Sequence, residues 1–192
     1  MLIVRTPLRV SIGGGGTDLP SYYGEYGGFV ISAAINKYVF IGINRIFTDD
    51  YVLKYSNQER VSTIDEIQHP IFREALRRNS VPPGVELVSL ADIPAGTGLG
   101  SSGSFTVGLI RALHTLRREP TSTQDIAEEA CEIEMNVLKG SGGKQDQYAA
   151  AFGGLICMDF DRSGKVAVSR LKVSNDTVHQ LEEHLCLFFT GV

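Results

Sequence analysis

Pro94-Ala95-Gly96-Thr97-Gly98-Leu99-Gly100-Ser101-Ser102-Gly103-Ser104 is the stretch that decides how the rest of this sequence is read. Before it, Val85–Ile93 is apolar and reads as a strand. After it, Phe105, Leu109, Leu113 and Leu116 recur at helical spacing and predict a helix with one buried stripe. A strand, a glycine loop and a helix start aim backbone N–H groups and the positive end of a helix dipole at one point, which suits an anionic phosphate. Gly96, Gly98 and Gly100 allow close backbone approach. Of the paired serines, one hydroxyl can bond a phosphate oxygen and the other can ligate Mg²⁺, a hard cation that prefers oxygen. The loop is not a Walker A motif, because no Lys-Ser or Lys-Thr pair follows the glycines. Nor is it a dinucleotide fingerprint, since the acidic residue needed about 20 positions on would fall in the basic Arg117-Arg118 stretch. The competing reading is a glycine-rich helix start with no ligand.

The 192 residues suffice for one sizeable domain, or for one and the beginning of another. With 43% hydrophobic and 21% charged residues, intrinsic disorder is excluded. A net charge of −4 leaves no basic excess for a nucleic-acid partner. Cys131, Cys157 and Cys186 lack metal-ligand spacing and read as reduced thiols of a cytoplasmic protein. No apolar run approaches the roughly 18 residues of a membrane span, so no membrane partner is expected.

Outward from the loop, Leu2–Ile12 is a strand running into Gly13-Gly14-Gly15-Gly16-Thr17-Asp18. Phe29–Phe47 predicts one or two paired strands, and Tyr51–Tyr55 and Arg60–Thr63 two shorter ones. His69–Asn79 predicts a helix stopped by Pro82-Pro83-Gly84. A second helix starts at Ser122 with a capping box to Asp125, carries the stripe Ile126, Ala130, Ile133 and Val137, and ends at Gly140. A short helix over Asp146–Phe152 precedes a hairpin of Leu155–Phe160 and Val166–Val173. Helix Thr177–His184 then leads to a last strand, Leu185–Thr190. That strand has no partner after it, so the expectation is a domain over 1–184 and the start of a truncated second domain at 185–192.

Pro94-x-x-x-Gly98-Leu99-x-Ser101-Ser102 resembles the phosphate loop of the GHMP kinases, the family of galactokinase, homoserine kinase, mevalonate kinase and phosphomevalonate kinase. Two further landmarks agree in order. Pro7-Leu8-Arg9-Val10 through Gly16-Thr17-Asp18 is similar to the family's opening segment, and Glu134 and Asp146, twelve apart, match its metal-binding glutamate and catalytic aspartate. Arg5–Arg9 with Gly14–Asp18 looks most like the D-glycero-D-manno-heptose 7-phosphate kinase branch. The resemblance implies an α+β fold like domain 2 of ribosomal protein S5, with helices packed on one face of a mixed sheet.

It also implies roles. Asp146, in the first turn of its helix, would be the general base toward a sugar hydroxyl. Without the other motifs it would read as a dipole partner of that helix and nothing more. Arg9, beside it, would lower its pKa and balance charge. Pro94, Gly96, Thr97, Gly98, Leu99, Gly100, Ser101 and Ser102 would hold ATP, and Ser102 with Glu134 would hold Mg²⁺. Gly15, Gly16, Thr17, Asp18 and Gly142 would meet the sugar, the Asp18 carboxylate accepting from two neighbouring hydroxyls. Galactokinases carry a Glu-His pair where this chain has Gly15-Gly16, and the lost bulk makes room for a larger substrate. Tyr22 and Tyr23 are candidates for the same pocket, and Lys37 and Lys144 for a distal phosphate.

The implied partners are ATP and a small-molecule sugar phosphate. The implied reaction is transfer of the γ-phosphate to the anomeric hydroxyl of D-glycero-D-manno-heptose 7-phosphate. The alternatives are another sugar kinase of the family, such as a fucose-type enzyme, and a non-catalytic sugar and ATP sensor.

Overall fold

A computed structural model describes residues 1–188. Strands β1 (Leu2–Gly13) and β2 (Gly28–Arg45) pair antiparallel along most of their length, joined by the first glycine cluster and helix α1 (Pro20–Tyr26). No periodic signal in the sequence announces α1, and its Pro20 occupies the first helical turn.

The β2 stretch is one 18-residue strand, not a strand pair. Its length has a cause. One edge serves two neighbours in succession, β6 (Leu155–Phe160) along Gly28–Ala33 and β5 (Val85–Ala91) along Val39–Arg45. Beyond β5 lie β3 (Tyr51–Lys54), parallel to it, and β4 (Gln58–Val61). β7 (Val166–Arg170) closes the other side. The seven-stranded sheet is therefore mixed, as expected.

Along β2, Val39, Ile41 and Ile43 are buried under helices, while Phe29 on β2, Leu90 on β5 and Ile3 on β1 are exposed. Helix α2 (Pro70–Arg78) contributes Phe72, Ala75 and Leu76 to the core. Helix α3 (Ser101–Arg117) departs from the expected single stripe. Residues 103–110, Ala112 and Leu113 are all buried, because β1 and β2 lie beneath it and α2, α4 (Thr123–Cys131) and α5 (Gln145–Phe152) pack around it. Leu8, Ile41, Leu53, Phe72 and Leu109 centre the main cluster. Each such side chain contributes about 1.5–3 kcal/mol on burial. Tyr23, Val30, Tyr148, Met158 and Phe160 form a second cluster.

The capping box of α4 is present: Ser122 Oγ accepts from Asp125 N at 3.0 Å, and Asp125 Oδ2 accepts from Ser122 N at 3.3 Å. The helix does not run evenly to Gly140. It passes into a π turn over Glu132–Val137, which leaves Val137 44% exposed although it continues the predicted stripe. An extra residue in the turn rotates the later positions off the apolar face.

Helix α6 (Asn175–His184) buries no side chain. Residues 185–188 continue it without strand structure, and the rest of the expected strand Leu185–Thr190 lies outside the described residues. Among the described residues no helix is long and apolar enough to cross a membrane. Cys131, Cys157 and Cys186 are free.

Candidate active site

The Pro94–Ser102 loop carries left-handed backbone at Gly96, Gly98 and Gly100, with φ of +85°, +75° and +77°. No side chain caps the N-terminus of α3, so its first N–H groups have no side-chain acceptor from the protein. Loop and strand are tied together at Arg9. Its backbone N donates to Leu99 O at 3.0 Å and its Nη1 to Gly98 O at 2.8 Å.

The same arginine meets Asp146 on α5. Arg9 Nε donates to Asp146 Oδ1 at 2.8 Å, and Nη2 lies 2.5 Å from that oxygen. Gly103 makes this approach sterically allowed: a Cβ there would stand 2.7 Å from Asp146 Cβ and 3.0 Å from its carbonyl carbon. The close packing adds a second electrostatic effect to that of Arg9. Burial pushes the Asp146 carboxyl above the ordinary aspartate value, and the Arg9 charge and hydrogen bond return only part of that shift. Arg9 lowers the Asp146 pKa as expected, but desolvation outweighs the ion pair and the net shift is upward.

Glu134 sits in the π turn, and the turn directs it back at α3. Ser102 Oγ donates to Glu134 Oε2 at 2.5 Å, and Gln147 Nε2 donates to Glu134 Oε1 at 3.0 Å. Two hard oxygens thus converge at the end of the phosphate loop. That donor set suits Mg²⁺, which commonly takes one or two protein ligands and keeps several waters. No cluster of three or more His, Cys, Asp or Glu side chains competes as a metal cage among the described residues.

Two of the expected sugar contacts have protein partners. Asp18 is 1% exposed and turned inward. Its Oδ1 accepts from Gly16 N and Gln145 Nε2, both at 3.2 Å, and its Oδ2 from Gln145 N at 3.0 Å. Gly143 packs so tightly on it that a Cβ there would lie 1.9 Å from Oδ2. The carboxylate accepts from protein donors at Gly16 and at the start of α5. Thr17 likewise spends its hydroxyl on the backbone, against Gly14 O at 2.8 Å and Phe29 N at 3.0 Å. Gly16 and Gly142 have open space where a side chain would be, and Gly15 faces only Ser11.

Other candidates point elsewhere. Lys144 donates to Gly164 O and lies 5.4 Å from the Tyr23 ring centre, so it serves the β6–β7 turn. Tyr23 is buried, and Tyr22 borders a cleft of about 730 Å³ with Thr17, Tyr26 and Phe29 that contains neither Arg9 nor Asp146. Lys37 is exposed on β2. Sequence reasoning passed over Gln145, Gln147 and Ser11, whose hydroxyl donates to Gln145 Oε1. The available signal was the pair of glutamines flanking Asp146 in an otherwise apolar helix.

Residues 65–154 match the GHMP kinases N terminal domain. The chain is 34% identical to D-glycero-alpha-D-manno-heptose 7-phosphate kinase of Campylobacter jejuni, over 98% of this chain and 59% of that protein. It superposes with a TM-score of 0.87 and 30% identity on a crystal structure described as D-glycero-D-manno-heptose 1-phosphate kinase from Bacteroides thetaiotaomicron, over 94% of this chain and 63% of that one. It is 26% identical to the bifunctional fucokinase/GDP-fucose pyrophosphorylase of Arabidopsis thaliana, over 98% of this chain and 20% of that protein. The chain thus spans about three-fifths of the length of its heptose kinase relatives.

Proposed function

The chain belongs to the GHMP kinases, and from that membership we propose that it is the nucleotide-binding part of an enzyme moving the γ-phosphate of ATP onto the anomeric hydroxyl of D-glycero-D-manno-heptose 7-phosphate. One observation carries the chemistry. The Arg9–Asp146 pair stands against the uncapped N-terminus of α3, so a base and a phosphate cradle share one point.

The loop N–H groups and the α3 dipole bind and orient the triphosphate. Asp146 takes the proton of the attacking hydroxyl. Both Arg9 contacts fall on Oδ1, leaving Oδ2 for that proton. Burial makes this carboxylate more basic than a solvated one, which suits a general base near neutral pH. Arg9 steadies the base and the loop together, so hydroxyl and phosphate stay in register for in-line transfer. When bound, Mg²⁺ neutralises charge on the transferring phosphate, and Ser102 and Glu134 are the residues that would hold it. ATP as donor and three free thiols support a cytoplasmic setting.

The heptose assignment is supported by the 34% identity and by the open space at Gly16, which a bulky side chain would fill. The two heptose kinase relatives differ in which phosphate their names specify, so the acceptor is the part of the reading to test first. A fucose-type kinase is the second reading, favoured by the Arabidopsis likeness. An ADP-release assay of the full-length protein with heptose 7-phosphate, unphosphorylated heptose, galactose and fucose separates them. Preference for the 7-phosphate should reach at least ~10-fold in kcat/KM, the effect of one contact of about 1.4 kcal/mol. Equal or better use of an unphosphorylated sugar would refute the heptose assignment and leave the kinase reading standing.

A further inference from the structure

Gln147 is 4% exposed, between the catalytic-base candidate Asp146 and the buried run Tyr148, Ala149 and Ala150. Its Nε2 donates to Glu134 Oε1 at 3.0 Å, while its own Oε1 is buried without a partner among the described residues. The amide cannot be flipped to relieve this, because its oxygen would then face a carboxylate oxygen. A buried acceptor left unpaired costs stability, so packing alone does not account for a glutamine here. What the residue does accomplish is geometric. Glu134 is held at both oxygens, Oε2 by Ser102 and Oε1 by Gln147, and two such bonds fix the plane of a carboxylate standing on a π turn.

Resting on the kinase reading, we infer that Gln147 is a positioning residue that orients the Glu134 carboxylate toward Mg²⁺ and couples that ligand to the helix bearing Asp146. Outer-shell partners of this kind typically change metal affinity by about 10–100-fold. The placement also explains why a polar side chain sits inside an apolar helix.

The test uses Gln147→Met, which keeps the volume without the donor, and Gln147→Glu, which keeps the shape and sets an acceptor against Glu134. Melting temperature and calorimetric binding of the ATP analogue AMPPNP are measured across a Mg²⁺ titration and in EDTA. The methionine variant should melt at or above the wild-type temperature, with binding in EDTA unchanged. The Mg²⁺ needed for half-maximal binding should rise roughly 10-fold or more in both variants. A methionine variant that melts well below wild type, or variants that keep the wild-type Mg²⁺ requirement, would overturn the inference. Wild-type protein whose nucleotide binding ignores Mg²⁺ would instead overturn the reading on which it rests.

Discussion

Arg9 and Asp146 are 137 residues apart in the chain, yet they share a hydrogen bond of 2.8 Å beneath the loop that begins α3. The arginine comes from the first strand and the aspartate from the first turn of α5, so neither element forms the site alone. Two effects act on the Asp146 carboxyl with opposite signs, burial raising its pKa and Arg9 lowering it, and burial is the larger.

Replacing Asp146 by Asn keeps the shape and removes the proton acceptor. Turnover should fall by ~10²–10⁴-fold, the typical contribution of a general base, while nucleotide binding stays near wild type. Single-turnover kinetics paired with calorimetry separate the two. Turnover within a few-fold of wild type removes Asp146 from the mechanism.

The pH dependence has a definite sign. A raised carboxyl pKa means that the base gains its proton, and activity is lost, at a higher pH than for an ordinary aspartate. The acidic limb of kcat/KM should therefore lie above that value. Arg9→Met removes the influence that lowers the pKa, so the limb should move further up. A limb that moves down contradicts this account.

Ser102→Ala and Glu134→Gln act on one ion in the proposed mechanism. Each should raise the Mg²⁺ needed for half-maximal activity, and the double variant should lose less than the two single losses combined. Full additivity in a double-mutant cycle would assign them to separate sites.

Asp18 tests scaffold against substrate contact. Asp18→Asn turns one of two accepting oxygens into NH2, so in either orientation the amide faces a backbone donor, Gln145 N–H or Gly16 N–H, and an unmet buried donor costs about 1–3 kcal/mol. Thermal melts should register the loss and kcat should fall as the start of α5 loosens. If stability is unchanged and only the sugar KM rises, Asp18 touches the sugar after all.

Gly103→Ala probes the approach of α3 to Asp146. The added methyl overlaps Asp146 Cβ and must push α3 and α5 apart, at about 1–3 kcal/mol for overpacking. A variant as stable and active as wild type would show that the interface yields freely.

Most of the fold and part of the site can be read from the residues, for a physical reason. The phosphate loop, the Ser122 capping box and the strand alternation are local patterns, and each lies within a dozen residues of sequence. What could not be read depends on long-range burial. The hydrogen bond of Asp18 to Gln145, 127 positions away, is one such contact. The sign of the Asp146 shift depends on how closely α3 packs over it. The π turn is invisible to a stripe drawn at ordinary helical spacing, and Val137 is misplaced for that reason. The length of β2 likewise reflects two later strands that its own residues do not announce.

The two-neighbour character of β2 has a kinetic consequence. β5 leads into the phosphate loop and β6 leads out of the helix carrying Asp146, and both hang on this one strand. The β1–β2 pairing is comparatively short-range, whereas docking β6 on β2 closes a chain loop of more than a hundred residues, the kind of step that sets the pace of folding. During refolding, nucleotide capture and phosphoryl transfer should therefore return on different clocks. A species with β5 seated and β6 still searching would hold phosphate without a base to use it.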